Sequence, residues 1–255
     1  MKKNLSLLTL LFFLGCAHGP CHQDIIYQNA PINALLAGCY SGTMSIGELQ
    51  KHGDFGFGTL DALDGEMIVL DGAFYQIKPD GKARLLADKD TSPFATVTFF
   101  HAGQELSSER TMGHKELIGF LDEKLPSENL LYAIKVEGRF PLLKVRSAAR
   151  QKKPFPVLTE AIQSQKIFEL KDQEGTLVGF RFPAYAQGIN VPGYHFHFLN
   201  KDKTLGGHVL DLKVESPRIQ IDKSHKFSME LPGNEEFLKF QAVADAKEAI
   251  QRIEK

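Results

Sequence analysis

The 255-residue chain has no tryptophan, three cysteines and no Cys-x-x-Cys pair. Without that spacing a thiolate zinc site is not expected. No His-Glu-x-x-His segment is present, so the helical metalloprotease signature is absent as well. There is no long linker, low-complexity tract or internal repeat. Charge of one sign is also lacking, with 30 Lys+Arg against 31 Asp+Glu. That balance argues against nucleic acid or an anionic membrane surface as the main partner. The N-terminal apolar stretch, residues 5–14, is ten residues long, against the ~20 that span a bilayer. What is present is a globular composition, 43% hydrophobic and 24% charged, with nineteen phenylalanines supplying the large apolar volume.

The first residues read as an address. Lys2 and Lys3 precede the apolar stretch, and Gly15-Cys16 follows it. A basic start, a short apolar core and a small residue describe a bacterial export signal over residues 1–15. Cys16 after Gly15 resembles a lipobox, in which the cysteine carries a lipid anchor; Phe13 stands where that motif prefers leucine. The alternative is cleavage after residues 17–19. Without the leader the balance is 28 bases to 31 acids, a charge of −3. The chain is expected to be exported, periplasmic or extracellular. There Cys21 and Cys39 are free to pair, though spacing does not decide it. Residues 16–29 read as a tether.

Turn signals then recur at short intervals. Asp71-Gly72 separates two strand-like runs, 66–70 and 73–78, and is a strong two-residue hairpin signal. Further strands are expected at 83–87, 94–100, 131–137 and 140–146, the last two paired around Gly138-Arg139. More follow at 167–170, 177–182, 193–199, 209–215, 219–222 and 227–231. Helices are expected at 111–124, stopped by Pro126, at 156–165, and at 242–253. Strand runs without strand–helix alternation predict an α+β fold with largely antiparallel sheets. The division expected is 30–150 and 151–255, the second part carrying the histidines and the terminal helix.

The chemistry-bearing stretch runs from Val191 to His208. Side chains alternate along a strand, so His195 and His197 share one face, while Tyr194, Phe196 and Phe198 take the other. If 191–199 and 208–216 form a hairpin with 197 opposite 208, the loop is 201–204 and His208 joins the same face. A bulge at Gly206-Gly207 would move it off. Continuing that face through Leu210, Leu212 and Val214 turns the cluster inward. Three buried imidazoles without a partner are costly, and a divalent cation, most often zinc, resolves the cost. Three protein ligands leave a coordination position open, as in catalytic sites. His101 and His114 read as surface or capping residues, His225 as solvated, and His52 as packed locally.

The wider pattern resembles the acetolactate decarboxylase family over about residues 30–255. The segments that carry it are His52-Gly-Asp-Phe-Gly-Phe-Gly-Thr59, Leu63-Asp-Gly-Glu66, Leu70-Asp-Gly72, Thr91-Ser-Pro-Phe-Ala95, Val145-Arg-Ser147 with Pro154-Phe-Pro156, the His195/His197 strand, and Gly206-Gly-His-Val-Leu-Asp211. The resemblance implies two domains, one with a mixed sheet and a smaller barrel-like one, usually forming a homodimer. It implies zinc on His195, His197 and His208, with Glu66 and Arg146 at the metal. It also implies a glutamate near the C-terminus, Glu254 or less closely Glu248, and Thr59 lining the pocket. Phe155 stands where the family more often has tyrosine, which should affect packing more than chemistry.

The reaction implied is decarboxylation of 2-acetolactate to acetoin. Loss of CO2 leaves an electron pair on C2 that the neighbouring ketone accepts as an enediolate, which a Lewis-acid metal stabilises. The substrate thus carries its own electron sink, and no organic coenzyme is required. Carbon protonation needs a positioned acid, for which Glu66 and Glu254 are the candidates. Arg146 stays protonated and suits orientation of a carboxylate or oxyanion. Two other classes fit three histidines: a zinc hydrolase using metal-activated water, and a non-catalytic metal-binding envelope lipoprotein.

Overall fold

The computed structural model describes residues 24–254. The expected export signal, Cys16, Cys21 and residues 16–23 of the expected tether lie outside them. Among the described residues no helix is long and apolar enough to cross a membrane.

In chain order the strands are β1 (Ile25–Asn29), β2 (Met44–Ser45), β3 (Phe55–Thr59), β4 (Glu66–Leu70), β5 (Ala73–Ile77), β6 (Ala83–Leu85), β7 (Thr91–Ser92), β8 (Phe94–Thr98), β9 (Gln104–Ser107), β10 (Met112–Gly113), β11 (Leu131–Ser147), β12 (Lys166–Phe182), β13 (Gly193–Asn200), β14 (Gly206–Ser224) and β15 (Lys226–Glu230). The α-helices are α1 (Ile32–Leu36), α2 (Ile46–Leu49), α3 (His114–Lys124), α4 (Leu158–Ala161), α5 (Glu235–Lys239) and α6 (Ala246–Ile253). The fold is α+β and mostly sheet. A seven-stranded sheet has the order β15-β1-β8-β3-β4-β5-β6, antiparallel except for the parallel β1–β15 pair. A second sheet runs β10-β14-β11-β12-β13, with β9 also on β14. β13 pairs β14 as well, over three residue pairs beside the histidines. The barrel-like expectation is met only to that extent.

The sheets pack face to face. Phe55, Phe57, Ile68 and Ile77 of the first meet Val178, Phe180, Phe182 and Leu199 of the second in one buried cluster. The second sheet's other face is covered by α3 through Leu117 and Leu121, which pack with Phe196, Phe198 and Val214. A third cluster gathers α1, α4 and α6 around Leu35, Leu158, Ile250 and Ile253, with Leu63 and Phe94. Several of its residues, among them Leu35, Leu158 and Ile253, line the cavity of the candidate site.

Asp71 and Gly72 both take positive φ, 52° and 77°, as the hairpin reading requires. Several expectations need correction. Residues 25–29 are not tether: they form β1, buried inside the first sheet between β8 and β15. The split at 150 is crossed in both directions, since β11 belongs to the second sheet and β15 completes the first. Residues 131–147 are one strand, not a hairpin. Gly138 marks a close approach there instead, because a Cβ would meet Val214 Cγ2 at 3.0 Å. β12 and β14 likewise run on through the expected breaks, with local bends at Asp172 and Ser216, whose φ values are 53° and 44°. Such long strands have two neighbours each, and ladder pairing on both sides outweighs a local turn signal.

Candidate active site

β13 and β14 pair with His197 directly opposite His208, the register expected from hairpin parity. β11 and β14 place Arg146 directly opposite His208. Directly opposed residues share a face. His197, His208 and Arg146 therefore form one row across three strands, with His195 two residues along β13. From the other sheet, Glu66 enters at the start of β4, opposite Thr59 on β3.

The continuation of that face is not as expected. Between Lys144 and Val145 the register slips, and Leu210 is the extra residue on β14. The bulge reverses the alternation. Val209, Leu212 and Val214 consequently lie in the cluster under α3, on the side away from His208. The histidines are still buried, but by the opposing sheet rather than by their own strand's leucines.

The three imidazoles converge. His195 Nε2 lies 3.2 Å from His197 Nε2 and 3.0 Å from His208 Nδ1. His195, His197 and His208 each offer a ligand nitrogen within 4.8 Å of the others, which could hold a metal ion. Two nitrogens bound tetrahedrally to one zinc lie roughly 3.3 Å apart, so the spacing fits. Burial pushes all three well below the usual histidine range, so they are neutral and keep a lone pair. His197 Nδ1 donates to the Met67 carbonyl at 3.1 Å, which turns the lone pair of Nε2 inward. His195 Nδ1 and His208 Nε2 are buried without a hydrogen-bond partner. Neutral nitrogens packed this closely need something electrophilic between them, and a divalent cation is the group that such a donor set fits.

Around them stand the charged residues. Arg146 Nη1 donates to Glu66 Oε1 at 3.1 Å, and Glu66 Oε2 is 3.8 Å from His197 Nε2. Burial raises the Glu66 carboxyl above its ordinary range, while Arg146 and a hydrogen bond from the Ala148 backbone pull it down. Glu254, at the C-terminal cap of α6, brings Oε2 to 3.4 Å from His208 Nε2. Glu248 faces away, paired with Arg252 on the exposed side of the same helix. Thr59 lines the cavity, but its hydroxyl donates to Gly65 O at 2.7 Å and so braces the turn that launches Glu66. The cavity these residues line is small and opens to solvent. Its other wall is apolar: Leu63, Phe94, Leu158, Ile162 and Ile253.

Sequence reasoning missed Phe57, whose ring lies on His195 and His197, and the Met67 carbonyl. Phe57 stands in the quoted 52–59 segment, but nothing local says that it faces the histidines. His114 is not a surface residue: it is half-buried near Asp211 and Glu254, and burial lowers its pKa. His52 does pack locally, stacked on Tyr27 at 3.8 Å. Phe155 touches Tyr40 rather than the cavity.

The alpha-acetolactate decarboxylase family model matches residues 26–242. The chain belongs to the alpha-acetolactate decarboxylase family. It is 47% identical to the alpha-acetolactate decarboxylase of Methanosarcina mazei over 91% of this chain and 81% of that protein. It is 45% identical to that of Methylococcus capsulatus, over 91% and 90%. The crystal structure of alpha-acetolactate decarboxylase from Bacillus subtilis strain 168 superposes with a TM-score of 0.88 at 37% identity, covering 90% of this chain and 99% of that one. Within the alpha-acetolactate decarboxylase frame, the three histidines, Arg146, Glu66 and Glu254 occupy one cavity of this chain.

Proposed function

We propose that the protein is an exported zinc enzyme that decarboxylates 2-acetolactate to acetoin and CO2. The observation that carries this is the meeting of three neutral histidines with Arg146 and two carboxylates in one cavity. Family membership favours it over a hydrolase or a non-catalytic metal binder.

His195, His197 and His208 would hold the zinc. When bound, zinc supplies Lewis-acid polarisation of the substrate's ketone and hydroxyl oxygens, worth several kcal/mol of barrier. Arg146 supplies a buried, permanent positive charge. One of its N–H groups is engaged by Glu66 and its Nε has no partner. The guanidinium thus keeps donors with which to orient the substrate carboxylate or a developing oxyanion. Leu63, Phe94, Leu158, Ile162 and Ile253 keep water from the carbon that loses CO2. The proton that replaces the carboxyl group comes from a side chain within reach, Glu66 or Glu254.

The leader, an anchor at Cys16 and a homodimer belong to the same proposal; the support for export is Lys2-Lys3 ahead of residues 5–14. The function is tested by supplying 2-acetolactate to the purified zinc-loaded protein and measuring acetoin. Steady acetoin release, lost in His197→Ala, is expected. A zinc-loaded protein that releases none would overturn the reading.

A further inference from the structure

His195 and His197 differ in how their rings are fixed. The orientation of a metal-binding imidazole is usually set by a hydrogen bond to its outer nitrogen. His197 has that bond, from Nδ1 to the Met67 carbonyl. His195 does not: its Nδ1 is buried and without a hydrogen-bond partner. What it has is Phe57. The Phe57 ring lies 4.2 Å from the His195 ring, tilted by 34°, and 4.8 Å from the His197 ring, inclined by only 20°. Phe57 comes from β3 of the opposing sheet and is 1% exposed. Its edge is met at 5.3 Å by Phe180, which stands opposite His195 on the neighbouring strand β12. A flat ring locked in this way restricts rotation of both imidazoles about χ2, an otherwise broad torsion.

We propose that Phe57 is a positioning residue for the cation site, its aromatic face replacing for His195 the hydrogen bond that fixes His197. The proposal rests on the reading that the three histidines hold a cation. Phe57 also borders the cavity, but the role assigned to it is on the rings. It acts by keeping two donor nitrogens aimed at one point before the ion arrives, so the first sheet determines ligand geometry on the second.

Phe55 supplies the control. It lies two residues away on the same strand, in the same buried cluster, and also packs on Phe180, but among the described residues no ring contact joins it to a histidine. Zinc affinity is measured by competition with a chromophoric chelator for the native protein, Phe57→Leu and Phe55→Leu. Phe57→Leu should weaken zinc roughly tenfold or more, and Phe55→Leu by less than about twofold. Equal losses, or no loss in Phe57→Leu, would overturn the proposal. Should Phe57→Leu fail to fold, the native metal-free protein decides by histidine-selective NMR. Ring protons of His195 and His197 should be shifted upfield by the Phe57 face, and unshifted protons would refute the stack. A native protein that binds no zinc would instead overturn the three-histidine reading, leaving the ring shifts to judge Phe57.

Discussion

Arg146 and Glu66 form an ion pair between the two sheets, Nη1 to Oε1 3.1 Å, with side chains each 8% exposed. Each compensates the other's burial, and both face the histidine cluster. Removing one partner from such a pair is expensive because the remaining charge stays buried. Arg146→Ala should therefore cost about 3 kcal/mol in urea unfolding and at least about 10²-fold in kcat/KM. Arg146→Lys should recover most of the stability and little of the rate, since an ammonium lacks the planar fork.

The stability of the metal-free protein should fall in acid, starting near neutrality. His195, His197 and His208 have folded pKa values depressed far below 6.5 by burial. The unfolded chain takes up their protons first. Their contribution is complete above about pH 6.5 and is lost as pH falls below it, by about 1.4 kcal/mol per pH unit for each histidine. Glu66 has the opposite sign: its raised carboxyl contributes below pH 4.5 and loses that contribution as pH rises through its folded value. Urea midpoints between pH 5 and 8 measure the sum, and the histidines should dominate.

Glu254 is the partly exposed carboxylate of the site, with its side chain 20% accessible. Glu254→Gln should leave unfolding free energy within about 0.5 kcal/mol. If Glu254 delivers the proton, kcat should drop about 10²-fold or more with KM little changed. The parallel Glu66→Gln variant assigns the donor: the larger kcat loss, with zinc affinity held, identifies it.

Thr59 is predicted to act through Glu66. Thr59→Val removes the hydroxyl that donates to Gly65 O. A loss of about 1–2 kcal/mol is expected, from the carbonyl left unpaired. Activity should fall while zinc affinity stays unchanged, because Glu66 shifts and the histidines do not.

How much of this was legible in the sequence follows from the range of each interaction. His197 opposite His208 was readable because a short hairpin fixes its own register. The Leu210 bulge was not, since it depends on how β14 matches β11. Arg146 lies among lysines and other basic residues in an otherwise unremarkable stretch, and only the family pattern drew attention to it; its burial comes from pairing opposite His208 and from Glu66, eighty residues away. β1 is five residues long and carries no turn signal that would mark it as a strand in the sequence. It is a strand because β8 and β15, neither near it in the chain, flank it. The terminal helix was legible from its apolar stripe, but which of its glutamates reaches the site depends on how α6 docks against α1 and α4.

In the proposed reaction everything depends on an ion held by His195, His197 and His208. The most direct measurement is acetoin production by one preparation assayed as isolated, after exhaustive chelation, and after titration with zinc, with bound metal counted at each stage. Activity should vanish with the metal and return in proportion to zinc, levelling off at one ion per chain. Undiminished activity in protein shown to be metal-free would contradict it.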